Sequence, residues 1–286
     1  MKIGYVGLGK MGANMVARLQ EKGHEPITFD VSGAGSAKNL SEMVTALPMP
    51  RLVWVMVPAV ATSAVITELA LLLSPGDTLI DGGNSNYKES IRHSHELSQK
   101  GIYFLDAGTS GGPAGARSGA CVMIGGHKES FLKYETLFRD ISAPNAYAYL
   151  GPAGSGHFVK MVHNGIEYGM MQAIAEGFDV MKAAPMDLDL LEITRIYNTG
   201  SVIESRLIGW LLDGYKKYGV ELSEISSTVA HTGEGSWTVD AGKELGVPVP
   251  IIEGSLEYRK QSAAHPRYTG KVLSTLRNMF GGHSAK

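Results

Sequence analysis

One cysteine in 286 residues excludes a fold stapled by disulfides. The position of Cys121 inside the apolar run ACVMI points to a buried, inert thiol, and the scarcity of cysteine fits a reducing, cytoplasmic setting. Charge of one sign is also lacking. With 26 basic and 28 acidic side chains, net charge −2, no global field recruits nucleic acid or an anionic membrane surface, so an anionic ligand must be caught locally. No apolar run approaches the roughly 18 residues of a membrane helix, and MKIGYVGLG enters a strand pattern without a signal-peptide layout. There is no dense His and Asp cluster of ligand type, so no metal is expected.

Glycine, by contrast, is abundant: 36 residues, mostly in pairs or short motifs before position 160, as tight turns near a ligand require. Short β-rich runs alternate with amphipathic stretches: KIGYV, PITFD, LVWVMV, DTLID, IYFLDA, ACVMIGG and AYAYLG, with helical patterns between them. This rhythm predicts a Rossmann-type, doubly wound α/β domain with a parallel sheet. After GPAGSG only helical patterns remain: 156 to 183, 187 to 197, 202 to 218, 223 to 232, 237 to 246, 251 to 264 and 267 to 280. The expected organisation is a dinucleotide-binding domain over 1–153 and an all-helical domain for substrate and oligomerisation over 154–286.

The loop GLGKMG lies between a predicted strand and a predicted helix. Its glycines, Gly7, Gly9 and Gly12, suit a tight turn, close approach of a pyrophosphate and helix-to-strand packing. Leu8, Lys10 and Met11 complete the loop at a helix N-terminus that favours phosphate charge. Asp30 ends the next strand, where a carboxylate accepts hydrogen bonds from a ribose and repels a 2′-phosphate, which favours NAD over NADP. Val57 and Pro58, in VMVPA after the third strand, are expected to line the cofactor path. DGGNSNY follows the fourth strand. There Asn84 either caps the next helix or bridges nicotinamide and substrate. After the fifth strand, Ser110, Gly111 and Gly112 expose backbone N–H groups suited to a carboxylate, unless the loop is merely irregular.

KMVHNGIEYG, residues 160 to 169, gathers Lys160, His163, Asn164, Glu167 and Tyr168 at offsets 0, 3, 4, 7 and 8, one face of a helix. Taken alone this is either a solvated stripe with an i, i+7 charge pair or a set of matched donors and acceptors at a site.

Together GLGKMG, DGGNS, SGGPAGARSG and GSGHFVKMVHNGIEYG resemble the 6-phosphogluconate dehydrogenase family, and the likeness continues through SWT at 236 to 238 and RNMFGGH at 277 to 283. The wider β-hydroxyacid dehydrogenases share the first loop, the SGG loop and the lysine, but not HNGIEY together with DGGNS. The short chain resembles the compact, NAD-preferring bacterial-type branch. The resemblance implies oxidative decarboxylation of 6-phosphogluconate in the pentose phosphate pathway. It makes Lys160 the general base at the C3 hydroxyl and Glu167 the acid that protonates C1 of the enediol. It puts Asn164 and Asn84 on hydroxyls, Ser110, Gly111 and Gly112 at the carboxylate, His163 close by and Tyr168 toward the phosphate. It further implies a homodimer or homotetramer in which Arg277 and His283 complete a neighbouring subunit's site. The family's cationic phosphate clamp is altered. Glu204 stands where longer members have arginine, Arg206 lies two residues or about 200° further round a helix, and Thr232 and Glu234 replace a lysine and a threonine. Three alternatives therefore stay open: an unphosphorylated sugar acid as substrate, a β-hydroxyacid dehydrogenase without decarboxylation, and a non-catalytic dinucleotide-binding module.

Overall fold

The computed structural model describes residues 1–230 and 233–285, and of Glu234 only the backbone. The chain divides into two compact units, Met1–Lys160 and Met161–Lys286.

The first unit runs β1 (Lys2–Val6), α1 (Lys10–Glu21), β2 (Glu25–Phe29), α2 (Leu40–Thr45), β3 (Leu52–Val55), α3 (Ala59–Leu72), β4 (Thr78–Asp81), α4 (Tyr87–Ser98), β5 (Tyr103–Ser110), α5 (Gly112–Ser118), β6 (Ala120–Gly126), α6 (Lys128–Lys133), α7 (Glu135–Ile141) and β7 (Ser142–Gly151), and ends in the first turns of α8 (Ser155–Ala183). The sheet order is β2-β1-β3-β4-β5-β6-β7. Every pairing is parallel except β5 with β6. The expected doubly wound sheet thus forms mostly parallel, with its one reversal between β5 and β6. Residues 111–119, with α5 among them, are too few for a parallel crossover, which needs about a dozen residues or more.

Alternate residues of the central strands feed two apolar layers, as a sheet covered on both faces demands. Ile3, Tyr5, Trp54, Ile80 and Phe138 share one layer, and Val53, Val55, Leu79 and Phe104 the other. Tyr5 and Trp54 stack with ring centroids 6.2 Å apart, and Trp54 lies beneath the DGGNS loop: a Cβ on Gly82 would lie 2.2 Å from the Trp54 indole nitrogen. Cys121, expected to be buried, is exposed. Side chains alternate at the start of β6, so Ala120 and Val122 take the inward positions and Cys121 the outward one.

The second unit comprises the rest of α8 with α9 (Leu190–Tyr197), α10 (Arg206–Tyr218), α11 (Glu234–Leu245), α12 (Pro250–Gln261) and α13 (Tyr268–Gly281). Its core joins Met171, Ala175 and Phe178 of α8 to Ile208, Leu211 and Tyr215 of α10 and to Val272, Leu273 and Leu276 of α13. Asp189 and Ser205 cap α9 and α10 through their side chains, as their residue types predict. The helix expected over 223–232 does not form in its described part, where 223–230 are turns, bends and irregular chain; His231 and Thr232 lie outside the described residues. Serine chemistry supplies the reason. Ser226 Oγ accepts from Thr228 N at 3.1 Å, Ser262 Oγ accepts from Val229 N at 2.9 Å, and Ser226 N donates to the Ala285 carbonyl at 2.8 Å, so backbone donors find partners outside a helix ladder. Among the described residues no helix is long and apolar enough to cross a membrane.

Trp54 is fully buried under the loop that Gly82 opens. Trp54→Ala is expected to lower unfolding stability by about 3–5 kcal/mol, read from the shift of the chemical denaturation midpoint.

Candidate active site

The first loop separates the duties of its glycines. Gly7 has φ +99°, and a Cβ there would lie 2.2 Å from the Met56 carbonyl oxygen; on Gly12 it would lie 2.0 Å from the Gly7 carbonyl oxygen. Both positions are demanded by the fold itself. Gly9, at the N-cap of α1, is different: a Cβ there would meet nothing within 4 Å. The open space over Gly9, before a helix with no acidic residue in its first turn, fits the close approach of a pyrophosphate.

Asp30 ties the end of β2 to this loop. One carboxylate oxygen accepts from Leu8 N at 2.6 Å, and the other accepts from Ser32 N at 2.8 Å and Ser32 Oγ at 2.5 Å. The Ser32 hydroxyl, then the Leu8 and Ser32 N–H groups, hold its carboxyl below the usual range. Val57 and the DGGNS turn are neighbours, since a Cβ on Gly83 would lie 3.1 Å from the Val57 carbonyl oxygen, and Pro58 is the N-cap of α3. The cap of α4 is Asn86, whose side chain accepts from Lys88 N at 3.0 Å. Asn84 is therefore not the cap and stands exposed in the loop that follows β4. Ser110 ends β5. Gly111 (φ +120°) and Gly112 (φ +62°) take left-handed backbone to begin α5, so the expected irregular loop contains a short helix.

Burial sorts the stripe on α8. Lys160 is 8% exposed and Tyr168 6%, while His163, Asn164 and Glu167 are half-buried, which rules out a wholly solvated stripe. His163 Nδ1 lies 3.1 Å from Asn164 Oδ1 and 3.9 Å from Glu167 Oε2. Lys160 crosses β5 where only glycine fits: a Cβ on Gly108 would lie 2.4 Å from the Lys160 Cβ. In the second unit SWT reaches the same helix. Thr238 Oγ1 donates to the Met161 carbonyl at 2.8 Å, and a Cβ on Gly165 would collide with Thr238 at 2.6 Å.

Sequence reasoning missed Arg259. It reads as one more charge in EYRK on an amphipathic helix, yet it is 3% exposed, and its guanidinium carbon lies 3.4 Å from the centre of the Tyr168 ring. Only the packing of α12 beside α8 reveals it. Arg206 opens α10, exposed, with its guanidinium 5.0 Å from the Trp210 ring centre, and Glu204 accepts from Gly200 N at 2.8 Å. Thr232 and the Glu234 side chain lie outside the described residues. Arg277 is 7% exposed within α13. The His283 carbonyl accepts from Asn278 Nδ2 at 2.7 Å, its ring packs edge-on to Phe280, and Ala285 beyond it is buried in the core of the second unit.

The mostly parallel sheet, the glycine loop after β1 and the family match over this half of the chain define an oxidoreductase with a Rossmann NAD(P)-binding domain. More narrowly, the chain belongs to the 6-phosphogluconate dehydrogenase family: residues 2–151 match the NAD binding domain of 6-phosphogluconate dehydrogenase, and residues 156–278 match its C-terminal domain. It is similar to YqeC of Bacillus subtilis (strain 168), provisionally named a 6-phosphogluconate dehydrogenase, with 45% identity over 100% of this chain and 99% of that one. It is 38% identical to the NAD(+)-dependent, decarboxylating 6-phosphogluconate dehydrogenase of Haloferax volcanii, over 99% of this chain and 98% of that protein. Among solved structures, Plasmodium falciparum 6-phosphogluconate dehydrogenase, studied alone, with NADP+ and with 6-phosphogluconate, superposes with a TM-score of 0.80 at 28% identity, covering 96% of this chain and 70% of that one.

Because the folded-state pKa of Asp30 is depressed, its tie to the loop is complete above the ordinary carboxylate value of about 3.9 and weakens only as pH falls through the lower folded-state value. The Leu8 and Ser32 amide resonances are expected to hold steady down to about pH 4 and to shift only below it. A midpoint at or above the ordinary value would contradict the geometry.

Proposed function

We propose that this protein oxidises and decarboxylates 6-phosphogluconate with NAD, yielding ribulose 5-phosphate and carbon dioxide. The observation that carries the reading is the face of α8: buried Lys160, then Asn164 and Glu167, on one helix that starts at the sheet. Gly7, Leu8, Gly9, Lys10, Met11 and Gly12 would hold the pyrophosphate and Asp30 the adenosine ribose, with Val57, Pro58 and Asn84 toward the nicotinamide. Bound NAD would supply the hydride acceptor.

Lys160 in its neutral form takes the proton of the C3 hydroxyl. Its ammonium then stands beside the new C3 carbonyl and draws electron density onto that oxygen as the carboxylate leaves as carbon dioxide. Glu167, seven residues and about 10.5 Å of helix rise further on, returns a proton to the carbon that lost the carboxylate. Asn164 lies between them on the same face and orients hydroxyls, while His163 braces Asn164 and Glu167. Ser110, Gly111 and Gly112 receive the substrate carboxylate.

Two observations bear on the phosphate end and pull in opposite directions. Arg206 spends its guanidinium on Trp210, and Glu204 is bound to its own loop, which favours an unphosphorylated sugar acid. Arg259, buried on the Tyr168 ring, supplies a cation beside the residue assigned to the phosphate and favours the phosphorylated one. The second weighs more, because a desolvated guanidinium interacts with an anion more strongly than an exposed one. The reading includes a homodimer or homotetramer in which Arg277 and His283 serve a neighbour's site; the burial of Arg277 gives this part the least support.

The test is NADH and carbon dioxide measured together on 6-phosphogluconate and on gluconate. Equal yields of the two products and a higher kcat/KM on the phosphorylated acid are expected. NADH without carbon dioxide would leave a β-hydroxyacid dehydrogenase, preference for gluconate would change the substrate, and NADH binding without turnover of any sugar acid would leave a binding module. Lys160→Met is expected to cut kcat by about 10²–10⁴-fold with NADH affinity unchanged by fluorescence titration. Asp30→Ala should narrow the ratio of kcat/KM for NAD over NADP, and an unchanged ratio would remove the carboxylate from cofactor choice.

A further inference from the structure

α8 begins without a cap of its own making. It has no acidic residue in its first turn, yet the donors that a helix N-terminus leaves orphaned are met by a carboxylate from a strand some fifty positions earlier. Asp106 of β5 is fully buried. One of its oxygens accepts from Gly154 N and the other from His157 N, each at 2.8 Å. The helix also sits directly on strand backbone. A Cβ on Gly156 would lie 2.4 Å from the Met123 carbonyl oxygen and 2.7 Å from that of Asp106, and one on Gly125 would lie 2.7 Å from Asp106 Oδ1. A second tie is made by the His157 side chain, 1% exposed, whose Nδ1 lies 2.7 Å from Oγ of fully buried Ser90 in α4. α4 follows the loop that bears Asn84.

Lys160 is one turn beyond Gly156 and three residues beyond His157, and two residues after Asp106 the strand offers Gly108 under the Lys160 Cβ. We propose that Asp106 is a positioning residue of the dehydrogenase reaction: its carboxylate sets the register and depth of α8 on the sheet, hence the reach of Lys160, with His157 and Ser90 as the second tie. The inference rests on Lys160 being the base. An Asn at position 106 keeps one acceptor and turns an amide N–H₂ toward a backbone N–H that needs an acceptor. The first turn then loses one of its two anchors while the sheet and the cofactor loops stay as they are. A base displaced by about 1 Å loses about a hundredfold in rate without losing substrate affinity.

The experiment compares Asp106→Asn, Ser90→Ala and Lys160→Met in the full-length protein. For Asp106→Asn, kcat is expected to fall about a hundredfold, with KM for the sugar acid and Kd for NADH within about threefold of wild type, and with faster hydrogen exchange confined to the amides of Gly154, His157 and their turn. An unchanged kcat, or a loss carried by KM alone, overturns the proposal. Should Asp106→Asn yield no folded protein, Ser90→Ala carries the test: about a tenfold lower kcat at unchanged KM supports it, and a wild-type kcat overturns it. A normal kcat in Lys160→Met would overturn the base assignment itself, and the positioning role with it. Loss of activity there beside a normal Asp106→Asn would refute the positioning role alone.

Discussion

The close seating of α8 on β5, with the Lys160 Cβ over Gly108, fixes where the proposed chemistry can occur. A helix normally packs on a sheet through interdigitating side chains that hold the two backbones apart. Here glycines at 108, 125 and 156 remove those side chains, and backbone meets backbone. Such contact brings carbonyls and N–H groups together in a buried place, where each must be paired or cost about 1–3 kcal/mol. The Asp106 carboxylate meets that demand for two N–H groups at once. Close packing, buried carboxylate and helix direction are one solution to one constraint.

The cofactor loops obey the same logic at the carboxyl edge of the sheet. Net charge is −2, so nothing in the global field attracts a dinucleotide. In the proposed reading attraction comes from oriented N–H groups at α1, and selectivity from one carboxylate, Asp30, kept ionised by three hydrogen bonds. Those bonds also hold GLGKMG against β2, so the residue proposed to meet the ribose is the one that shapes the glycine turn. Trp54, under Gly82, stiffens the next loop from below. Ligand-facing groups are thus held by elements that cannot shift independently of the core.

Much of this was legible in the sequence because local chemistry wrote it there. Strand, glycine loop, helix and the acid at Asp30 follow from period and turn residues, and the Lys160 stripe from helical spacing alone. What failed depended on contacts between distant segments. The antiparallel β6 came from a connection too short to cross over. The helix that residues 223–230 do not form lost to serine side chains and the Ala285 carbonyl, which outbid a weak helical pattern. Cys121 was misplaced because an apolar run does not say which of its members points outward. Asp106 stood as one residue of the β-rich run IYFLDA, and its use by Gly154 and His157 has no local signature.

Arg259 makes the same point for the substrate end. Set against the family's motif, Glu204, Thr232 and Glu234 implied a phosphate clamp with two cations missing or relocated. Charge in a site is set by burial as well as by number. An exposed Arg206 resting on Trp210 contributes a screened field. A guanidinium 3.4 Å over the Tyr168 ring, 3% exposed, is already largely desolvated and is held by a cation–π contact of about 2 kcal/mol. Having lost its hydration on folding, it gives up little more when an anion arrives. The altered sequence is therefore compatible with the phosphorylated substrate, provided that the anion is met at Tyr168 and Arg259 rather than at the start of α10.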